Sequence, residues 1–158
     1  MSIKNVKEYL KKYNKSDSVK EFEVSSATVD LAAKALDVEP ARIAKTISFK
    51  SKEDNSCILL VTAGDTKIDN SKFKHEFGLK AKMLNFDEVL KFTGHPVGGV
   101  CPFANPEGAK IYLDESLKRF SSVFPACGTP NSAIELTCDE LYNISNCIKW
   151  VDVCKLCI

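Results

Sequence analysis

A chain of 158 residues, 44% of them hydrophobic, can bury one sizeable core, so a single domain over residues 1–158 is expected. Lys plus Arg number 22 against 21 Asp plus Glu, and a net charge of +1 excludes a general polyanion binder that works by counterion release. A local basic patch stays open, because Lys67, Lys72, Lys74, Lys80 and Lys82 crowd one stretch. Neither the start nor any later run has the apolar length of a signal peptide or membrane span, so a cytoplasmic protein without membrane contact is expected. Seven cysteines, an odd number scattered through core-like segments, fit reduced thiols better than a disulfide framework.

In chain order, Ile3, Val6, Leu10 and Tyr13 recur at helical spacing among lysines and predict an amphipathic first helix. Ser25 or Ser26 offers an N-cap for a helix carrying Val29, Leu31, Ala32, Ala35 and Leu36, and a short helix is expected around Ala41 to Ala44. Residues 46–49 and 57–62 are β-branched and apolar and read as strands, with a polar hairpin loop between them. A helix from Asn70 or Ser71 to Phe77, stopped by Gly78, then a brief strand at 81–84 and a helix at 87–92 follow. The second half reads as strands at 111–113, 122–126, 133–136 and 150–153, with short helices at 115–120 and 139–144. Several connections are too short for crossover helices. The pattern therefore predicts an α+β fold, a mixed and strongly curled sheet or small barrel flanked by helices.

Residues 94–103 hold three glycines and two prolines, which no regular helix or strand accommodates. Glycine lets main-chain N–H groups turn toward a bound oxygen, and proline on either side stiffens the loop. A plain turn between core strands is the alternative. A second constrained turn, Cys127-Gly128-Thr129-Pro130-Asn131, and a lysine in an apolar setting, Lys45, accompany it. Pointing inward, Lys45 becomes a strong electrostatic group for a carbonyl, carboxylate or phosphate; pointing outward, it only covers apolar surface. Cys101 invites a thiol-nucleophile reading, yet its base would have to be His95, which reaches it only if the loop doubles back. The Cys154-x-x-Cys157 pair lacks the further ligands that a closed metal site needs, and a frayed end with incidental thiols is expected there. No metal and no cofactor are expected, since Walker, G-x-G-x-x-G and H-E-x-x-H signals are all missing.

Four segments carry a resemblance: Val29-x-x-Ala32-Ala33-x-x-Leu36; Arg42-Ile43-Ala44-Lys45-Thr46; Gly94-x-x-x-Gly98-Gly99-Val100-x-Pro102-Phe103; and Gly128-Thr129-Pro130 followed by Ile134-x-Leu136-Thr137. In that order, from about Phe22 to Val153, the chain resembles the YbaK/EbsC/ProX family of aminoacyl-tRNA deacylases, itself similar to the editing domain of bacterial prolyl-tRNA synthetase. The resemblance implies a trans-editing hydrolase that clears the ester of a mischarged tRNA by attack of water, without a covalent intermediate. It implies that Lys45 engages the terminal adenosine or its phosphate and that the amides of Gly98 and Gly99 face the scissile carbonyl. Phe22, Thr28, Val100, Cys101, Gly128, Thr129 and Asn131 are then expected to contact substrate. The implied partner is the 3′ CCA end of an aminoacyl-tRNA, with prolyl-tRNA synthetase or an elongation factor as further candidates.

Two departures blur the substrate. Asn131 stands where some relatives have a histidine, and Ala133 lies near the position of an aspartate in members that clear cysteine. Alanine, serine, threonine and cysteine all stay open. Two rival readings also stand: a non-catalytic binder of the tRNA end, and a regulatory interaction module.

Overall fold

The computed structural model describes residues 2–157. Its centre is β3 (Cys57–Ala63), every residue of which is buried. Alternation sends Cys57, Leu59, Val61 and Ala63 to one face and Ile58 and Leu60 to the other, so a strand this apolar needs cover on both sides. It pairs antiparallel with β2 (Ile43–Lys50) and parallel with β5 (Ala109–Asp114). β6 (Ser122–Pro125), β8 (Leu136–Thr137) and β9 (Lys149–Val151) complete a six-stranded mixed sheet in the order β8-β6-β2-β3-β5-β9. The sheet curls into a half-barrel, the α+β architecture the sequence predicts.

On the larger face Val6 and Leu10 of α1 (Ser2–Lys11), Val89 of α4 (Phe86–Thr93) and Leu141 and Ile144 of α5 (Cys138–Ser145) pack on Leu59, Val61, Leu113 and Val123. On the other face Phe73 of α3 (Asn70–Phe77) meets Phe49, Ile58 and Leu60. Each such fully buried side chain is worth about 1.5–3 kcal/mol of transfer free energy. A third cluster joins Ala32 and Ala33 of α2 (Val29–Leu36) to Ile43 and Phe124, closing one end of the sheet. Capping boxes Asn85/Glu88 and Thr137/Glu140 start α4 and α5 and contribute about 1 kcal/mol each.

Six expectations change. The N-cap of α2 is Thr28, not Ser25 or Ser26, and that of α3 is Asp69, not Asn70 or Ser71, because these side chains accept from Leu31 N and Lys72 N. The segment 41–44 is not a short helix: a 3-10 turn at Pro40–Arg42 hands over to β2 at Ile43, because the β-branched run gains partners on both edges. At 81–84 only the single bridge Phe49↔Met83 forms. The strand expected at 133–136 is split. Ile134 donates to the Pro125 carbonyl, so β7 (Ser132–Ala133) pairs with β1 (Lys20–Glu21) while β8 pairs with β6. The C-terminal segment does not fray: β10 (Cys154–Leu156) pairs antiparallel with β4 (Thr66–Ile68), and Cys154 is buried.

Candidate functional site

A cavity of about 260 Å³ opens where the sheet is least complete. β6 pairs with β2 only at Ile43 and Ala44 and departs at Pro125, whose imide has no N–H to continue the ladder. The wall left beside β2 is closed by the start of α2, the Val97–Gly98 turn, Val100 and Ser132–Ala133. Most of the lining is small and apolar, including Ala27, Ala32, Ala44, Ala126 and Ala133, with Val97 and Met83 exposed at the mouth. Lys45 is the one ionisable side chain among the lining residues.

The cavity brings together four of the expected site residues: Thr28, Lys45, Gly98 and Val100. Thr28 is the N-cap of α2, its hydroxyl accepting from Leu31 N at 3.2 Å. Lys45 is half-buried, opposite Thr62 across β2 and β3, and its Nζ donates to the Thr66 carbonyl. That carbonyl sits in a turn held from two sides. Thr66 donates its hydroxyl to Ala63 O at 2.7 Å, and Arg119 grips Asp65 through both carboxylate oxygens at 2.6 and 2.9 Å. The guanidinium keeps the Asp65 carboxyl below the ordinary carboxylate range. Gly98 has φ +91°, and a Cβ there would lie 3.4 Å from Pro130 and 3.6 Å from Ala27, so its backbone conformation, not its space, calls for glycine.

The other expected residues lie elsewhere. Gly99 donates its amide to Pro96 O at 3.0 Å, so that amide is spent inside the loop; a Cβ on it would sit 2.6 Å from the Gly128 carbonyl. Gly128 in turn packs under α1, where a Cβ would meet Ser2 Oγ at 2.6 Å. Thr129 donates to Ser132 Oγ at 2.8 Å. Asn131 and Phe22 clamp each other, Phe22 N to Asn131 O at 2.8 Å and Asn131 Nδ2 to Phe22 O at 2.9 Å, which fastens the turn to the segment leading into α2.

Cys101 is fully buried, and the loop does double back to bring it 3.4 Å from His95 Nε2. The geometry serves packing. His95 Nε2 must carry the proton it donates to the Phe103 carbonyl at 2.7 Å, leaving Nδ1 to accept from the Ser2 hydroxyl. A protonated Nε2 cannot take a proton from the thiol. Burial also pushes the Cys101 thiol up to about 12 and holds His95 below its ordinary value, so both are neutral and enclosed.

Sequence reasoning passed over Thr46, next to Lys45, and Arg42, which lies over the Phe124 ring and donates to Ser122 and Glu135. Both stood inside the same five-residue motif. Alternation along β2 turns Ala44, Thr46 and Ser48 to the side opposite Lys45, but nothing in the sequence marks which of them lacks a main-chain partner.

Among the described residues no group of three or more His, Cys, Asp or Glu side chains is arranged to hold a metal ion. No helix among them is long and apolar enough to cross a membrane.

Residues 23–144 match the model of the aminoacyl-tRNA editing domain. An uncharacterized protein of Bacillus subtilis strain 168, YwhH, is 53% identical over 155 residues, 98% of each chain. A proline–tRNA ligase of Lactobacillus gasseri is 32% identical over 97 residues, which are 61% of this chain but 17% of the ligase. The crystal structure of a candidate trans-editing enzyme for prolyl tRNA synthetase superposes with a TM-score of 0.86 at 26% identity, covering 98% of this chain and 97% of the other.

Proposed function

Because the chain belongs to the aminoacyl-tRNA editing domain family, we propose that it is a trans-editing deacylase acting in the cytoplasm on tRNA mischarged with a small amino acid. The observation that carries this is the cavity: about 260 Å³, lined by small apolar side chains, with one cation and one positive-φ glycine at its wall. The side chain of alanine, serine, threonine or cysteine finds small apolar neighbours throughout such a lining. The similarity to proline–tRNA ligases favours tRNAPro as the carrier and the synthetase as the partner whose errors are cleared.

In this reading Lys45 leaves or shares the Thr66 carbonyl to hold the terminal ribose and phosphate of the CCA end. The backbone at Gly98 offers its amide to the ester carbonyl as charge develops on it. A water held against that carbonyl adds to the carbon, the C–O bond to the terminal ribose breaks, and the ribose oxygen leaves with a proton. Free amino acid and uncharged tRNA result. Cys101 has no part, being enclosed and protonated.

The direct test is deacylation of tRNAPro carrying alanine, serine, threonine or cysteine, alongside the cognate prolyl ester. Hydrolysis of at least one small ester above the uncatalysed rate, with the prolyl ester spared, is expected. If every ester survives as in buffer while the tRNA end still binds, a non-catalytic binder replaces the enzyme.

A further inference from the structure

Along β2 the main-chain groups of alternate residues face away from β3. Leu84 N donates to Ser48 O at 3.1 Å and Lys50 N to Lys82 O at 2.7 Å, which identifies 44, 46, 48 and 50 as the outward set. β6 takes up Ala44, and the 82–84 segment takes up Ser48 and Lys50. Thr46 falls in the gap between them. Its N–H and C=O have no main-chain partner on that edge among the described residues, and its Oγ1 is buried with no hydrogen bond. Three unpartnered polar groups of one residue thus belong to the wall of a mostly apolar cavity, whose other polar side chains are Ser26, Thr28, Lys45, Ser48 and Ser132. A donor and acceptor left open on a sheet edge are free to pair with a ligand that enters the cavity.

We propose that this gap is the seat of the aminoacyl group, which completes the sheet as a single added residue. Resting on the deacylase reading above, the inference assigns Thr46 as the residue that recognises the substrate's α-amino group and ester carbonyl. An aminoacyl ester has the N–Cα–C=O spacing of one strand residue, so its ammonium meets Thr46 C=O and its carbonyl meets Thr46 N–H, the exchange of a hydrogen-bonded antiparallel pair. No carboxylate lines the cavity, so the ammonium must be met by neutral oxygens, and the free Thr46 carbonyl lies on the open edge of β2. The side chain of the amino acid then stands off the sheet plane against the small apolar lining. The anchoring groups belong to the main chain and recognise what all amino acids share, leaving discrimination to the residues that line the rest of the cavity.

Non-hydrolysable amide analogues test this: 3′-alanylamido-3′-deoxyadenosine and its 3′-propionylamido counterpart, which lacks only the amino group. With amide resonances assigned, titration of wild-type protein should shift the Thr46 N–H together with Gly98 and Val100. The alanyl analogue should bind about tenfold tighter than the propionyl one, the worth of a hydrogen bond to a charged group. Thr46→Val, which keeps both main-chain groups, should retain most of that preference and lose only the share contributed by the hydroxyl. Equal binding of the two analogues, or shifts at Gly98 and Val100 with Thr46 unmoved, overturns the Thr46 seat and leaves the cavity reading standing. If neither analogue moves any cavity amide, the deacylase site itself is misplaced and the inference falls with it.

Discussion

The loop at 94–103 has two sides that obey opposite rules. Toward the core, His95, Gly99 and Cys101 are enclosed, and the hydrogen-bonding groups of His95 and the Gly99 amide are spent: His95 bonds Ser2 and Phe103, and Gly99 bonds Pro96. Toward the cavity, Gly98 and Val100 border a wall whose Thr46 groups are unpaired and whose lysine is held by one carbonyl. Chemically suggestive residue types sit on both sides. What separates them is satisfaction: the cysteine–histidine contact has its protons committed, and the Thr46 edge keeps a donor and an acceptor open.

The largest effect that would sharpen this contrast is expected from Lys45→Ala. Losing a positioned charge should lower deacylation by about 100- to 1,000-fold. The melting temperature should move by no more than about 3 °C, since the residue is only half-buried. Single-turnover rates and thermal melts on one preparation decide it, and full activity in this variant would remove Lys45 from the site.

Next comes Gly99→Ala on the core side. Its Cβ would lie 2.6 Å from backbone of Gly128, an overpacking that cannot be relieved by a side-chain rotation. A cost of about 1–3 kcal/mol, or roughly 3–10 °C in melting temperature, is expected, with near-normal turnover by the molecules that stay folded. Gly98→Ala should behave differently: its φ of +91° strains alanine by about 1–2 kcal/mol, and turnover should fall at least about tenfold as the amide is displaced. Identical profiles for the two glycine variants would erase the two-sided description of the loop.

A smaller effect concerns acid. Burial lowers the His95 value in the folded protein below the 6.5 it has when exposed, so the unfolded chain binds the extra proton first. Stability is therefore complete well above about pH 6.5 and falls as pH drops below it, at no more than about 1.4 kcal/mol per pH unit. His95→Asn should flatten that part of a denaturation-versus-pH curve; an unchanged slope would place the responsible proton elsewhere. Smallest of all is Cys101→Ala, expected to leave deacylation within about threefold of wild type because the thiol packs and does not react. In native protein alkylated at pH 8, the exposed Cys157 should react while Cys101 is spared.

Much of this was readable before any coordinates. Helical spacing in residues 3–13, the all-apolar β3 and the glycine and proline content of 94–103 are local properties, and local sterics and solvation decide them. The order of the motifs carried the family. Pairing partners were not local. Whether 133–136 is one strand or two depends on Ile134 reaching Pro125, and whether the C-terminal segment frays depends on β4 lying alongside it. For the same reason Gly98 and Gly99, adjacent and chemically identical, were given one role by sequence, and only the approach of Gly128 separated them. Thr46 was invisible as a functional residue because an unpaired main-chain group has no signature in its own side chain. It is set by where β6 departs from the sheet and where the 82–84 segment joins it, and that is a property of the tertiary fold alone.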